Sequence, residues 1–186
     1  MRVVAGKYKG FNIKSPKANN SRPTDNKVKE AVMAMLYPYK KDFTALDLFS
    51  CTGQMGIEFL SHGAKEVVFG ELNNSNYKIL KENIEKIQSQ NALTIRGDFR
   101  KVLEILKENN KTFDYIYLDP PYKEDYLKIS LEYILTYHLL NKNGIIISES
   151  DRNIDFSDMT NLNLIKEKKY GRKIIKIYCY ESDISR

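Results

Sequence analysis

Ala45-Leu46-Asp47-Leu48-Phe49-Ser50-Cys51-Thr52-Gly53-Gln54-Met55-Gly56-Ile57-Glu58-Phe59-Leu60 is the stretch on which the fold turns. Residues 45–49 are a short apolar run, the length of a buried strand. Small residues follow as far as Gly53 and Gly56, and Ile57, Phe59 and Leu60 then begin a helix. A strand that passes through a glycine-containing turn into a helix opens an α/β unit. Outward from it the alternation repeats. Residues 67–72 read as a strand, and 74–88 as a helix with Tyr77, Leu80, Ile84 and Ile87 on one face. Residues 93–96 read as a third strand, followed by a helix carrying Val102, Leu103, Ile105 and Leu106. Residues 115–118 are a fourth strand, 127–140 a helix and 144–148 a fifth strand. Residues 162–169 and 173–180 flank Tyr170-Gly171 as a terminal hairpin. The expectation is a mostly parallel, seven-stranded α/β sheet with helices on both faces.

Upstream, Arg2-Val3-Val4-Ala5 and Phe11-Asn12-Ile13-Lys14 flank a turn bounded by Gly6 and Gly10, which reads as a β-hairpin. A polar stretch from Pro16 to Pro23 leads to Asp25, the expected N-cap of a helix running to about Leu36, with Val28, Val32, Met35 and Leu36 on its apolar face. Pro38 ends it. The predicted organisation is an N-terminal hairpin and helix extension over residues 1–43 and a body over 44–186.

The 186 residues suit one domain with a small appendage. With 42% hydrophobic and 29% charged residues, disordered and collagenous classes are excluded. No run approaches the length of a membrane span. The first residues lack the apolar core of a secretory signal, so a cytoplasmic protein is expected. Cys51 and Cys179 form no CxxC, and His62 and His138 are the only histidines, so neither a disulfide framework nor a metal site is predicted. The net charge of +6 is uneven: the first 41 residues carry +8 and the rest −2. A basic segment of that kind draws phosphates, which points to nucleic acid.

Open α/β sheets bind ligands beyond the carboxyl ends of their strands. Here successive strands deliver Asp47, Glu71, Asp98 and Asp119 to that edge. Glu71 follows Asp47 at close to the roughly 20-residue offset at which an acid grips ribose hydroxyls. Gly53 and Gly56 are expected to let the backbone approach a ligand. The turn lacks the lysine of a phosphate-cradling GxxxxGK[ST] loop. An acidic rim suits a ligand with hydroxyls, an amine and a positive centre, a description that S-adenosylmethionine meets and an anionic dinucleotide does not.

Asp119-Pro120-Pro121-Tyr122 carries the sharpest signal. Two prolines rigidify the turn and remove two backbone donors, so that carbonyl oxygens are left to accept. The Asp119 carboxylate is a second acceptor and Tyr122 a flat π-face. An exocyclic amine of a base offers two hydrogens to such acceptors and a ring to stack.

Ile116-Tyr117-Leu118-Asp119-Pro120-Pro121-Tyr122 resembles the [DN]PP[YF] signature of amino-group methyltransferases. With the Asp47 to Gly56 turn before it, the chain looks like a class I, Rossmann-like, S-adenosylmethionine-dependent methyltransferase. Along nearly its full length it resembles the RsmD family of 16S rRNA guanine-N2 methyltransferases. That narrower resemblance rests on Arg2 to Gly6 with Lys9-Gly10, Arg22-Pro23-Thr24, Lys27 to Ala31, Asp47-Leu48-Phe49, Gly56-Ile57-Glu58, Asp119 to Tyr122 and Tyr170-Gly171.

The resemblance implies roles. The turn of Asp47, Phe49, Ser50, Cys51, Thr52, Gly53 and Gly56 would hold the methionine part of the cofactor. Glu71 would bind the ribose, Leu72 the adenine face, and Asp98 with the Phe99 backbone the adenine amine. Asp119, Pro120, Pro121 and Tyr122 would hold the target base. Arg2, Lys7, Lys9, Arg22 and Thr24 would meet ribosomal RNA. A monomer acting on ribosomal RNA or the assembling small subunit is implied. The family usually has Gly where this chain has Cys51. If φ is positive there, the side chain costs about 1 kcal/mol or more, which leaves open a weakened affinity and a reactive thiol. Two other readings stay open on the residues alone: an adenine-N6 methyltransferase acting on DNA or RNA, and a nucleic-acid-binding protein with an inactive cofactor pocket.

Overall fold

The computed structural model describes residues 1–16, 24–121 and 125–180. Within them the elements run α1 (Thr24–Leu36), β1 (Thr44–Asp47), α2 (Gln54–Ser61), β2 (Glu66–Glu71), α3 (Asn74–Ile87) and β3 (Ala92–Arg96). They continue through α4 (Phe99–Glu108), β4 (Phe113–Leu118), α5 (Tyr126–Thr136), β5 (Leu140–Ser150), β6 (Leu162–Tyr170) and β7 (Lys173–Tyr180). The seven strands form one sheet in the order β3-β2-β1-β4-β5-β7-β6. Strands β1 to β5 pair in parallel, while β7 runs antiparallel to both β5 and β6.

Side chains alternate across each strand, which builds two cores. Ala45, Val67, Phe69, Tyr115 and Tyr117 face a layer containing Val28 and Val32 of α1, Ile57 and Phe59 of α2, and Leu80 of α3. Leu46, Val68, Ile116 and Leu118 face the opposite layer, with Val102 and Leu106 of α4 and Leu131 of α5. Both faces are covered, which is why the strands read as nearly continuous apolar runs. The chain moves outward from β1 to β3 and then restarts at β4 on the other side of β1. That reversal opens a crevice beyond the carboxyl ends of β1 and β4.

Three elements differ from the sequence reading. Helix α5 stops at Thr136 rather than continuing to residue 140. The His138 amide bonds the Leu135 carbonyl, the Leu139 amide bonds the Ile134 carbonyl, and His138 takes φ 53°. These are the paired bonds that close a helix through a left-handed residue, and they free Leu140 to start β5. The N-terminal hairpin forms, with a bridge between Arg2 and Asn12 and amide bonds from Val3 to Phe11, Ile13 to Met1 and Gly10 to Val3, but builds no longer ladder. The amides that would lengthen its ladder are taken by α2: Val4 N–H bonds Glu58, Lys7 N–H the Ser61 carbonyl, and Tyr8 N–H the Ser61 hydroxyl. Helix α1 starts at Thr24, which puts Asp25 inside its first turn rather than at the cap. Its buried face holds Met33, and Met35 lies at the rim.

Candidate active site

Asp47 ends β1 and is buried. Its Oδ2 accepts from the Gly56 amide at 2.9 Å, satisfying a donor that the first turn of a helix leaves unpaired. Gly53, the helix's own N-cap, makes no side-chain cap bond, so Asp47 performs that task from the strand. Burial pushes the Asp47 carboxyl up to about 7, with the Gly56 N–H opposing and the Glu71 charge adding. The Ser50 hydroxyl donates to the Asp47 carbonyl, and the Ser50 amide to that of Gly70.

Cys51 has φ 49°, the left-handed region that favours glycine. In this conformation its amide is directed at the Glu71 carboxylate. Burial, then the Glu71 charge, push the thiol up to about 11. A thiol so raised stays protonated near neutrality, which argues against a reactive cysteine although the residue is exposed.

The two glycines serve packing and turn geometry. A Cβ on Gly56 would lie 2.0 Å from the Phe69 ring, and one on Gly53, at φ 85°, would lie 2.5 Å from Leu80. Neither is among the residues that line the two cavities beside the turn. Thr52 is fully buried behind the turn, where its carbonyl accepts from Asn83.

A cavity of about 540 Å³ opens beside this turn, within the range of small-molecule sites. It brings together Phe49, Cys51, Glu71, Leu72, Asp98, Phe99, Asp119, Pro120 and Pro121. Glu71 is raised above its ordinary value by burial, against amide bonds from Asn73, Cys51 and Leu72. Leu72 is 65% exposed, an apolar side chain held open at the rim. Asp98 caps α4 by accepting from the Arg100 amide, and also pairs with the Arg100 guanidinium at 3.2 Å. Phe99 lies 5.3 Å from Phe49 and 5.1 Å from Tyr126, centroid to centroid, and forms an aromatic wall. Arg100 stacks on it at 4.4 Å.

A second cavity of about 180 Å³ shares Phe49, Cys51 and Asp119 with the first, and adds Asp47 and Ser50. It also gathers Lys29, Tyr117, Glu149 and Lys173, none of which the sequence reading assigned to the site. Tyr117 donates to Glu149, and Lys173 forms an ion pair with the same carboxylate. Tyr126, Asn73 and Arg100 were missed as well. Of these only Asn73 carried a local signal, as an N-cap residue directly after a strand.

Tyr122 and Arg22 lie outside the described residues, and Thr24 is described only as the first residue of α1. Arg2, Lys7 and Lys9 are exposed; the bonds from Lys7 and Tyr8 to Ser61 hold the Lys7–Lys9 loop at the far end of α2, whereas the Arg2 carbonyl accepts from Lys29, which lines the second cavity. Lys14, Lys29 and Lys40 of the basic segment are engaged with Glu82, Glu58 and Asp114. Residues 166–176 form a second basic cluster, in which Lys166, Lys168, Lys169, Arg172, Lys173 and Lys176 surround one acid, Glu167. Among the described residues there is no group of His, Cys, Asp and Glu that could hold a metal ion. Among the same residues no helix is long and apolar enough to cross a membrane.

The family described as Conserved hypothetical protein 95 matches residues 1–179. YlbH of Bacillus subtilis is 33% identical over 180 residues, covering 96% of this chain and 98% of that protein. Ribosomal RNA small subunit methyltransferase D of Haemophilus influenzae is 30% identical over 182 residues, covering 96% of this chain and 93% of that one. The solved structure of yhhF from Escherichia coli superposes with a TM-score of 0.84 at 22% identity, over 97% of this chain and 98% of that one. The fold is thus the Rossmann-like fold of S-adenosylmethionine-dependent methyltransferases. Matched over nearly its whole length by the family and by relatives at 30% identity and above, the chain belongs to the Conserved hypothetical protein 95 family, the RsmD family.

Proposed function

We propose that the protein transfers a methyl group from S-adenosylmethionine to the exocyclic N2 amine of a guanine in 16S ribosomal RNA. The observation that carries this reading is the position of Asp119-Pro120-Pro121. The turn follows β4 at the sheet reversal, and Asp119 lines both cavities at once. The methyl donor and the acceptor base would meet there.

The residues present fit S-adenosylmethionine. The 540 Å³ cavity carries Glu71 and Asp98 as acceptors, and Leu72 and Phe99 as apolar surfaces. When bound, the group supplies a methyl made electrophilic by its sulfonium. Glu71 would accept from the ribose hydroxyls and Asp98 from the adenine amine, with Leu72 against the ring. Ser50, Cys51 and Asp47 would face the methionine end.

Asp119 and the Pro120 carbonyl would accept from both hydrogens of the target amine, which leaves the nitrogen lone pair available for in-line attack. The turn's rigidity supports orientation as the main source of rate. Acceptors already aimed at the amine need no reorganisation as charge develops on it. The target base must be unpaired or flipped to reach this depth.

Exposed Arg2, Lys7 and Lys9, together with Arg22 and Thr24, would add phosphate contacts from an extension over residues 1–43, with residues 44–186 as the catalytic body. The Haemophilus influenzae relative's name supports small-subunit rRNA over DNA as the substrate. A monomer working in the cytoplasm on rRNA or the assembling subunit completes the proposal.

The test is mass spectrometry of ribosomal RNA from a deletion strain. One N2-methylguanine should be missing from 16S rRNA, and it should be restored by the intact gene but not by Asp119→Ala. An unchanged methylation pattern would overturn the reading.

A further inference from the structure

We propose that Glu149 and Lys173 select guanine. The Glu149 carboxylate accepts from N1–H of the target base, and the Lys173 ammonium donates to O6, beside the Asp119 turn that holds the N2 amine. This assignment rests on the guanine-N2 reading above.

Topology places the pair in the acceptor half of the site. The ribose and adenine acceptors stand at the ends of β2 and β3, on one side of the reversal. Asp119 follows β4, Glu149 lies near the end of β5, and Lys173 begins β7. Strands β4, β5 and β7 are consecutive neighbours in the sheet. Because β7 runs antiparallel to β5, its first residue comes to the carboxyl edge of β5. Glu149 also borders a small recess with Pro120 and Pro121, so it flanks the catalytic turn as well as the second cavity.

The chemistry along that edge is ordered. Asp119, Glu149 and Lys173 run acceptor, acceptor, donor across β4, β5 and β7. The Watson–Crick edge of guanine runs N2–H, N1–H, O6, which is donor, donor, acceptor. Adenine and cytosine each turn a ring-nitrogen acceptor toward the middle position, where a carboxylate repels it.

The Glu149 side chain is 1% exposed and that of Lys173 15%. Removing such a pair from water is costly, and an apolar pair of similar volume often stabilises a protein as well or better. A buried pair at the wall of a cavity is therefore poorly explained by stability alone. A carboxylate has about four acceptor sites and an ammonium three donors, so the two groups can hold each other and also bind a base. Tyr117 is a positioning residue: its hydroxyl donates to Glu149 and orients the carboxylate. Burial, then the charges of Glu149, Asp119 and Asp47, push the Tyr117 hydroxyl well above its ordinary value, which keeps it a donor.

The experiment uses the full chain and small-subunit particles reconstituted from rRNA with guanine or 2-aminopurine at the mapped target nucleotide. 2-Aminopurine keeps the amine but lacks O6 and carries no proton on N1. Wild type should prefer guanine by about 100-fold or more in kcat/KM, as sites with buried polar groups reject analogues that leave them unpaired. In Lys173→Met and Glu149→Leu that preference should collapse, because guanine loses contacts that 2-aminopurine never makes. Cofactor affinity by calorimetry reports whether each variant has folded. Wild type that does not discriminate between the bases overturns the proposal, even if no variant folds. Variants that keep the preference overturn it too, and either result leaves the guanine-N2 reading intact. A wild-type product methylated on adenine would overturn both.

Discussion

The Lys29 ammonium lies 3.0 Å from Glu58 Oε1, and both side chains are buried. Lys29 belongs to α1 and Glu58 to α2, so the pair joins the N-terminal segment to the helix that follows the turn after β1. The same ammonium donates to the Arg2 carbonyl at 2.9 Å, and the same carboxylate oxygen accepts from the Val4 amide at 3.0 Å. Lys29→Met would strand the Glu58 charge in the core. Breaking such a pair on one side should cost about 3–5 kcal/mol, and replacing both partners with apolar residues should recover much of it. Urea unfolding of the two single variants and the double variant measures the coupling.

Asp47 should set a pH dependence of stability. Its folded carboxyl titrates near 7, above the ordinary 3.8. Between those values the folded chain holds a proton that the unfolded chain has lost. Stability should therefore fall as pH rises from about 4 to about 7. Asp47→Asn keeps an oxygen for the Gly56 amide and removes the ionisation, so its melting temperature should be flatter across that window. Thermal melts at stepped pH values compare the two proteins.

Cys51 should resist alkylation. With its thiol pushed up to about 11, iodoacetamide should modify it slowly near neutral pH and rapidly only as the pH approaches that value. A fast reaction near neutrality, followed by mass spectrometry with Cys51 distinguished from Cys179, would contradict the placement beside Glu71.

Glu71 and Asp119 should separate binding from chemistry. Glu71→Ala should weaken S-adenosylmethionine in calorimetry by about 10-fold or more, as expected for losing charge-assisted bonds to hydroxyls. Asp119→Ala should bind the cofactor nearly as wild type does but abolish turnover. Equal loss of cofactor binding in both variants would place Asp119 in the cofactor cavity alone.

Gly56→Ala should destabilise the protein by about 1–3 kcal/mol, the cost of overpacking. The added carbon meets the Phe69 ring on β2, which is fixed in the core. A denaturant titration checks it. A loss of cofactor affinity without a loss of stability would instead support the ligand-approach role expected from the sequence.

Much of this architecture was legible locally. Strands β4 and β7 announced themselves because apolar runs bounded by Pro or Gly are short-range signals. The acidic strand ends were visible for the same reason. The limit of the N-terminal ladder was not, because the amides that would lengthen it bond Glu58 and Ser61, more than fifty residues away in the chain. Likewise the end of α5 depended on His138 taking a left-handed φ, which glycine advertises and histidine does not.

By itself the sequence determined the alternation of elements, the carboxylates at the strand ends and the Asp119-Pro120-Pro121 turn, since each is a matter of neighbours along the chain. Only the tertiary structure decided that the strand order reverses between β1 and β4, and that Gly53 and Gly56 pack against Leu80 and Phe69. It alone inserted antiparallel β7 beside β5, which brings Lys173 to Glu149 at the wall next to Asp119. The physical reason is common to all three. Local propensity acts over a few residues, whereas a site at a sheet edge is assembled by which strands become neighbours.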